Sequence, residues 1–300
     1  MSGHGHCALT GSERGTIFLE EAEVLQHESL PADQYCLRLE APAIAASANP
    51  GTFTHIRCDA SLPMRRPMSV MRVDAQGGWV EFLYRKVGRG THLLSRKKRG
   101  DVVSLLGPIG KPFVVPSDVR RPLLVGGGVG VPPIIFLADR LRARPGLLPP
   151  LVLVGSERPF PFPPRPSRIS IPGIPFEATA SLPLLDDWGV PSRLSTQHGI
   201  SGCFRGFVTD LAHIWLRRLH ARQRAEVTIF ACGPVPMLRS VTMLAREYDI
   251  SCQISLEEYM ACAVGGCAGC TVAIHTEVGP AMKRVCVDGP VFDGARVIWR

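Results

Sequence analysis

Residues 121–141 have the sequence RPLLVGGGVGVPPIIFLADRL, in which a short apolar run meets a glycine-rich loop and then a periodic segment. The run from Leu123 to Val125 predicts a buried β-strand. After the loop, apolar positions recur at the helical spacing i, i+3, i+4, i+7, namely Ile134, Leu137, Ala138 and Leu141. The stretch therefore predicts a strand, a tight turn and a helix, which is the repeating unit of a parallel α/β sheet.

The same alternation continues to about residue 250. Further apolar strands and helical faces are predicted at 151–154, 208–215, 227–230 and 236–246. Residues 116–250 are therefore predicted to form an α/β domain around a mostly parallel sheet.

Two loops at the carboxyl ends of these strands are candidate nucleotide contacts. The first contains Gly126, Gly127, Gly128 and Gly130, whose backbone N–H groups and following helix dipole suit a pyrophosphate. Its pattern departs from G-x-G-x-x-G, so a tight packing turn is the alternative. The second is Cys232-Gly233-Pro234, at the edge where open α/β sheets bind ligands. The alternative for Cys232 is a small buried side chain.

The chain before this domain has the pattern of β structure. Turn clusters separate six short runs rich in β-branched and aromatic residues, at 17–25, 35–39, 52–58, 68–73, 79–84 and 102–105. They show no helical period. Residues 16–115 are therefore predicted to form a small antiparallel barrel or sandwich.

Arg66 and Ser69, at the start of the fourth of these runs, are candidates to hold the phosphate and ring edge of a flavin. Strict alternation places the two side chains on opposite faces, so this prediction requires Arg66 to lie outside the regular pleat. Pro67 favours that position, because proline is tolerated at the first residue of a strand. Gly90 and Thr91 form a turn that is a candidate to cap a second phosphate. The alternative for Arg66 is a solvated surface charge.

Four cysteines near the C-terminus have the spacing of metal ligands: Cys262, Cys267, Cys270 and Cys286. The pattern C-x4-C-x2-C with a distant fourth cysteine is typical of plant-type [2Fe–2S] ferredoxins. Glycines at 265, 266 and 269 would permit the positive φ angles that turn N–H groups toward sulfur. A zinc site and unligated core cysteines are the alternatives, although zinc sites of four cysteines usually pair two C-x2-C knuckles. Residues 251–300 are predicted to form a cluster subdomain stabilised by its metal centre.

Taken together, these motifs resemble those of the ferredoxin reductase superfamily, and most closely its electron-transfer subunits of NAD-dependent dihydroorotate dehydrogenases. The resemblance runs from about residue 16 to the end. It rests on Arg66-Pro67-Met68-Ser69, Gly90-Thr91, the glycine loop, Ala231-Cys232-Gly233-Pro234 and residues 286–292. Met68 stands where the wider superfamily has a tyrosine, and this branch of the superfamily has an apolar residue at that position.

The resemblance implies an FAD-binding barrel, an NAD-binding α/β domain and a [2Fe–2S] tail. By position it also places Leu83, Tyr84 and Arg85 against the flavin. It implies a catalytic partner, an FMN-containing dihydroorotate dehydrogenase joined in a heterotetramer, whose electrons pass through the cluster and FAD to NAD in pyrimidine biosynthesis. No catalytic acid, base or nucleophile is required, and none is assigned.

Several alternatives stay open. Related subunits serve hydrogenases, sulfide dehydrogenases and ferredoxin:NAD(P) oxidoreductases, and a zinc-stabilised nucleotide-binding interaction module is the alternative from another class. Glu157 suits a ribose hydroxyl and Arg158 a 2′-phosphate, with NAD favoured. The Pro-rich stretch 157–205 is predicted to be an ordered loop with a short helix near Leu184 to Trp188, or else a Pro-rich partner ligand.

Charge and composition narrow the remaining function classes. Lys plus Arg number 34 and Asp plus Glu 26, for a net charge of +8. The densest basic run is Arg85, Lys86, Arg89, Arg96, Lys97, Lys98 and Arg99. We interpret it as a solvated face, a partner-docking surface or a complement to flavin phosphates. Nucleic-acid binding is not predicted, because no recognised motif or aromatic stripe accompanies the charge.

Localisation follows from what the termini and apolar runs contain. No run reaches the roughly 20 apolar residues of a membrane span. Residues 1–15 carry His4, His6 and Cys7 without an apolar core, and are predicted to be a disordered tail, with a metal-binding tract as the alternative. Clustered thiols of this kind favour the cytoplasm.

Overall fold

Antiparallel strands build the N-terminal half in the computed structural model, which describes residues 16–299. The predicted tail at 1–15 lies outside the described residues. The strands are β1 (Phe18–Leu30), β2 (Gln34–Glu40), β3 (Phe53–Arg57), β4 (Arg66–Ser69), β5 (Arg72–Asp74), β6 (Trp79–Arg85) and β7 (Val102–Ile109), with helices α1 (Pro42–Ser47) and α2 (Arg89–Leu94). They pair in the order β4-β3-β7-β1-β2-β6-β5 around a core that includes Leu37, Leu39 and Phe82, which confirms the predicted antiparallel barrel.

The predicted strand at 68–73 is two strands rather than one. The N–H of Val70 donates to Thr52 in one half of the sheet, whereas the N–H of Met71 donates to Glu81 in the other half. The chain therefore turns a corner of the barrel between these two residues, and a run of apolar residues does not reveal such a corner.

The second half alternates strands and helices as predicted. Its elements are β8 (Arg121–Gly127), α3 (Val131–Arg142), β9 (Leu151–Gly155), β10 (Arg165–Pro166), β11 (Ala180–Ser181), α4 (Pro183–Asp187), β12 (Ser192–Thr196), β13 (Phe204–Arg205), α5 (Val208–Arg218), α6 (Ala221–Ala225), β14 (Val227–Cys232), α7 (Val235–Glu247) and β15 (Ser251–Ser255). With the C-terminal strand β18 (Val291–Asp293), the sheet order is β13-β12-β9-β8-β14-β15-β18, parallel except at the last pair. The short helix predicted near Leu184 is α4.

The C-terminal region consists of a two-stranded hairpin, β16 (Thr271–Thr276) and β17 (Gly279–Arg284), and the edge strand β18 (Val291–Asp293). β15 pairs with β14 and β18 pairs with β15, so both belong to the parallel sheet. The boundary predicted at residue 250 therefore does not match the sheet. The cluster region is an excursion between β15 and β18, not a separate tail.

The helices between residues 16 and 299 include none that is long and apolar enough to cross a membrane. The longest of them, α7, has 13 residues.

Candidate functional site: a nucleotide cavity beside a four-cysteine loop

A cavity of about 1240 Å³ opens where the parallel sheet meets the barrel. Its walls come from the ends of β8, β9 and β12, the N-terminal half of α5, one side of α7 along its length, and the barrel strand β6. Pockets for drug-sized ligands are commonly about 300–1,000 Å³. This cavity is therefore large enough for a dinucleotide, and it lies at the sheet edge where such ligands bind.

The glycine loop divides between the cavity wall and the packing behind it. Gly127 and Gly128 line the cavity. Gly126 and Gly130 are buried behind them, and a Cβ on Gly130 would come within 3.0 Å of the Cys232 carbonyl group and the Gly233 nitrogen. Both interpretations of the loop therefore apply in part: Gly130 forms a tight packing turn, and Gly127 and Gly128 present their backbone to the cavity.

Cys232 ends β14 with its side chain 1% exposed. Burial raises the pKa of its thiol, and the residue does not line the cavity, whereas Pro234 does. The structure therefore favours the alternative that Cys232 is a small packed residue. Gly233 lies between them, where a Cβ would collide with the side chain of Met237.

The flavin motif lies on β4, which pairs with β3. Arg66 sits within the strand opposite Ile56, so the prediction that it lies outside the regular pleat is wrong. Its guanidinium crosses Gly90, where an added Cβ would lie 2.9 Å from Arg66 Nε. The two segments proposed to hold flavin phosphates are therefore in direct contact, and Gly90 must lack a side chain for Arg66 to lie there.

The other residues of the flavin motif have distinct environments. Met68 is 8% exposed and packs in the barrel core, whereas Pro67 is exposed and Ser69 half-buried. Thr91 lies in the first turn of α2, and its hydroxyl accepts the N–H of Val87 at 2.9 Å and donates to the Gly88 carbonyl at 3.1 Å. Thr91 thereby holds its own loop in shape.

Alternation along β6 separates the three residues that the resemblance places against the flavin. Leu83 and Arg85 line the cavity. Tyr84 points to the opposite face, where it is 6% exposed, stacks on Tyr35 at 5.4 Å and hydrogen-bonds His27 at 2.9 Å. The Tyr84 side chain therefore packs within the barrel and does not line the cavity.

The barrel and the cavity fit a flavin nucleotide on one further observation. The Nε atom of Arg85 is buried and has no hydrogen-bond partner among the described residues. Buried donors are almost always paired in native proteins, so an unpaired guanidinium nitrogen in a cavity wall indicates an anionic or polar ligand group.

The four cysteines lie together as two pairs. The N–H of Cys267 donates to Cys262 Sγ at 3.4 Å, and Cys270 Sγ lies 3.3 Å from Cys286 Sγ. The N–H of Gly269 donates to Cys267 Sγ at 3.4 Å. Within residues 16–299, no three His, Cys, Asp or Glu side chains converge as ligands of one metal ion would. Thiol sulfurs that accept backbone N–H groups suit the ligands of an iron–sulfur cluster.

The backbone of this loop differs from the prediction. Of the three glycines, only Gly265 has a positive φ, at 84°, while Ala263 and Ala268 adopt φ of 57° and 50°. Positive φ in alanine is uncommon, and residues held there cluster at functional sites. Gly266 and Gly269 are therefore not needed for left-handed backbone.

The thiols differ in their electrostatic environment. Burial raises the pKa of Cys262, but hydrogen bonds from the backbone at 264, 266 and 267 and from the Cys267 side chain outweigh it and lower the pKa to about 7. Burial, and after it the Cys270 side chain, raises the pKa of Cys286 to about 12. The outer part of the loop thus stabilises thiolate, as a metal ligand requires.

Arg284 joins the loop to the segment that carries Cys286. Its Nη1 donates to the Gly265 carbonyl at 2.9 Å, and its backbone N–H donates to the Asp288 carboxylate at 2.8 Å. The same segment reaches the barrel, where the N–H of Lys111 donates to the Gly289 carbonyl at 2.5 Å. The cysteine loop is therefore fixed to the flavin-type barrel as well as to the sheet.

Sequence reasoning missed several cavity residues. Ser195, at the end of β12, is 1% exposed, lines the cavity, and its Oγ has no hydrogen-bond partner among the described residues. Phe160 and Phe162, in the Pro-rich stretch, also line it. The pair of phenylalanines between prolines is the one signal that could have pointed to this wall.

The basic run extends from the end of β6 through α2 to the turn after it, and most of its side chains are exposed. Lys86 is half-buried and pairs with Asp33 at 2.8 Å. Only Arg85 of this run lines the cavity, so the rest is not a complement to a ligand there.

Comparison with known proteins supports a single family. Residues 257–298 match the model of the iron–sulfur cluster binding domain of dihydroorotate dehydrogenase B. The chain is 32% identical over 282 residues to the dihydroorotate dehydrogenase B (NAD(+)) electron transfer subunit of Desulforamulus reducens, covering 93% of this chain and 98% of that relative. A Geobacillus relative of the same name is 32% identical over 285 residues.

Solved structures agree with this assignment. The NADH-dependent reduced ferredoxin-NADP oxidoreductase superposes with a TM-score of 0.74 at 26% identity, over 93% of this chain and 90% of that chain. The ferredoxin reductase of carbazole 1,9a-dioxygenase, at 23% identity and a TM-score of 0.57 over 77% of this chain and 65% of that chain, shares the fold. The near full-length similarity to these relatives, together with the cavity and the paired thiols, shows that the chain belongs to the family of dihydroorotate dehydrogenase B electron transfer subunits.

Proposed function

We propose that this chain carries electrons from a dihydroorotate-oxidising flavoprotein partner to NAD+, in pyrimidine biosynthesis. The observation that carries the proposal is that one fold holds a cavity of dinucleotide size and a four-cysteine loop, and that the segment after Cys286 contacts the barrel through Gly289 and Lys111. The names of relatives that match nearly the full chain support the same function.

Each cofactor has a proposed set of residues. The cluster would be held by Cys262, Cys267, Cys270 and Cys286. FAD would be held at the barrel by Arg66, Leu83, Arg85, Gly90 and Thr91, whereas Pro67 and Ser69 lie on the face of β4 opposite Arg66 and are not assigned to it. NAD+ would lie against Gly127, Gly128 and Pro234, with Glu157 in the same cavity wall favouring a ribose hydroxyl over a 2′-phosphate. When bound, the cluster would transfer single electrons, and the flavin would collect two of them, one at a time, and pass both to the nicotinamide as a hydride.

The protein's own contribution is position. The segment 286–290 holds the fourth thiol and also contacts the barrel through Gly289 and Lys111. Val291, next along the chain, lies 2.9 Å from the Cβ position of Gly51 in the barrel. The cluster loop is thus braced directly against the domain proposed to hold FAD, which keeps the transfer distance fixed.

An anaerobic visible spectrum with iron, sulfide and flavin analysis tests the cofactors. We expect one FAD, two irons and two sulfides per chain, with bleaching on addition of NADH. Colourless protein containing one zinc would contradict the proposal. Cys267→Ser should abolish the cluster signal while FAD stays bound, whereas the matched control Cys203→Ser, at a half-buried cysteine outside the loop, should leave both unchanged.

The identity of the partner needs a separate test. We expect the chain to co-purify with a dihydroorotate dehydrogenase as a heterotetramer that reduces NAD+ with dihydroorotate. The second candidate is an NADH-dependent oxidoreductase acting on ferredoxin, favoured by the 26% identity to the ferredoxin-NADP oxidoreductase. Reduction of ferredoxin by NADH without any dihydroorotate-dependent activity would decide for that candidate. We place the complex in the cytoplasm, where the four cysteines proposed as cluster ligands would stay reduced.

A further inference from the structure

The Pro-rich segment 159–166 forms an aromatic wall of the cavity. Phe160 and Phe162 both line it, with ring centroids 5.6 Å apart and planes inclined by 29°. Phe160 is 4% exposed and packs into the core around α3 and β9, whereas Phe162 is half-buried. Phe160 therefore supports Phe162, which remains partly accessible within the cavity.

This wall is fixed to the barrel beside Arg85. The side-chain amide of Gln34 donates to the Pro159 carbonyl at 3.2 Å, across 125 residues of sequence. Gln34 pairs directly with Arg85 in the β2–β6 ladder, and both line the cavity. Gln34 therefore links the segment that carries the aromatic pair to the strand position next to Arg85, and all of these residues line the same cavity.

The chemistry of these cavity residues points to a particular type of ligand. Aromatic faces stack on flat heterocycles, and an arginine with an unpaired, buried Nε suits a phosphate. An aromatic face and an unpaired cation in the same cavity match the adenine and phosphate of an adenine nucleotide.

We propose that Phe162, backed by Phe160, stacks on the adenine ring of a bound dinucleotide whose phosphate lies at Arg85. The proposal rests on the proposed function, in which the chain binds two dinucleotides, FAD and NAD+, and each has an adenine. It assigns a role to the Pro-rich segment, which has no part in the electron-transfer assignment above. It also assigns a ligand to the unpaired Arg85 nitrogen.

The test compares each dinucleotide with its half that lacks adenine. Dissociation constants are measured for FAD and FMN on the flavin-stripped full chain, and for NAD+ and nicotinamide mononucleotide on the FAD-loaded chain. Phe162→Leu should weaken either FAD or NAD+ by roughly tenfold, the loss expected for one base–aromatic stack, and leave FMN or the mononucleotide unchanged. Phe162→Trp should restore the affinity, which a purely structural role would not do.

The control is Phe176→Leu, because Phe176 lies in the same Pro-rich stretch but is 94% exposed and outside the cavity wall. Loss for FAD alone assigns the adenine of the flavin, and loss for NAD+ alone assigns that of the nicotinamide cofactor. The inference is overturned if Phe162→Leu weakens the dinucleotide and its adenine-free half equally, or if its affinities equal those of Phe176→Leu. In either case, FAD binding by the wild-type protein leaves the proposed function intact. Wild-type protein that binds neither dinucleotide overturns both.

Discussion

Gly130→Ala tests the packing that holds the cavity together. Gly130 ends the glycine loop, and an added Cβ would come within 3.0 Å of the Cys232 carbonyl group and the Gly233 nitrogen, a separation that real Cβ atoms essentially never show. All of these are backbone atoms, so no side-chain rotation relieves the contact. Either the glycine loop or the turn after β14 has to move.

The cost follows from this geometry. Overpacking a close-packed interior costs typically about 1–3 kcal/mol, and a contact with backbone on both sides belongs at the upper end, about 2–3 kcal/mol. In a domain of this size that lowers Tm by roughly 4–12 °C. Since Gly127 and Gly128 of the same loop line the cavity, NAD+ binding should weaken as well. Thermal unfolding followed by circular dichroism and a titration with NAD+ measure both effects.

Gly126→Ala is the matched control. A Cβ on Gly126 has its nearest neighbours at 3.5 Å, on Val131, which is ordinary van der Waals contact. Its Tm should stay the same or rise slightly, because alanine restricts the unfolded chain. If both variants unfold at the same temperature as the wild type, the two backbones are not in the tight contact described here.

The cluster loop and the barrel give three further predictions. Gly265→Ala places an alanine at φ 84° with its Cβ 2.6 Å from a valine methyl, so it should lower the iron and sulfide content of the protein. The control Gly266→Ala should not, because no atom lies within 4 Å of its Cβ position. Equal iron and sulfide content in the two variants would contradict this prediction. Burial, and after it two neighbouring arginines, lowers the pKa of His55 to about 4. The unfolded chain therefore binds a proton between about pH 6.5 and 4 that the native chain does not, so the free energy of unfolding falls by about 3 kcal/mol as pH drops through this window. His55→Gln should show a smaller fall in urea titrations, and an unchanged fall would refute the assignment. Glu81 is 4% exposed and pairs with two arginines, so Glu81→Gln should lower the free energy of unfolding by about 2 kcal/mol. The control Glu226→Gln removes one partner of an exposed ion pair and should lower it by less than about 0.5 kcal/mol. Similar values for the two variants would place both pairs at the surface.

The strands of the parallel sheet show where sequence patterns succeed. β8, β9 and β14 are apolar runs buried on both faces, which is the pattern that marks a central parallel strand. β12 is equally buried in the same sheet, yet it contains Ser192, Arg193, Ser195 and Thr196. Besides pairing with β9 and β13, β12 contacts α5 and β11, so its burial depends on the packing of elements distant in the chain and its own residues do not predict it.

The candidate site divides in the same way. The glycine loop, the Arg66 motif and the cysteine motif each lie within a short stretch of the chain, so each can be recognised in the sequence. Which of Leu83, Tyr84 and Arg85 faces the cavity depends on the phase of β6 relative to the nucleotide domain. The resemblance placed all three at the flavin, while alternation turns Tyr84 into the barrel.

By itself the sequence determined the chemistry that depends on local spacing: four thiols on a short loop and its return, and a glycine turn between a buried strand and a helix. Only the tertiary structure decided that the Pro-rich segment meets the barrel at Gln34, that Arg85 keeps an unpaired nitrogen, and that the Cys286 segment braces against Lys111. The physical reason is that a spacing of a few residues constrains the backbone wherever it occurs. Contacts between distant segments exist only after the sheet and the barrel have packed, and their free energy comes from that packing.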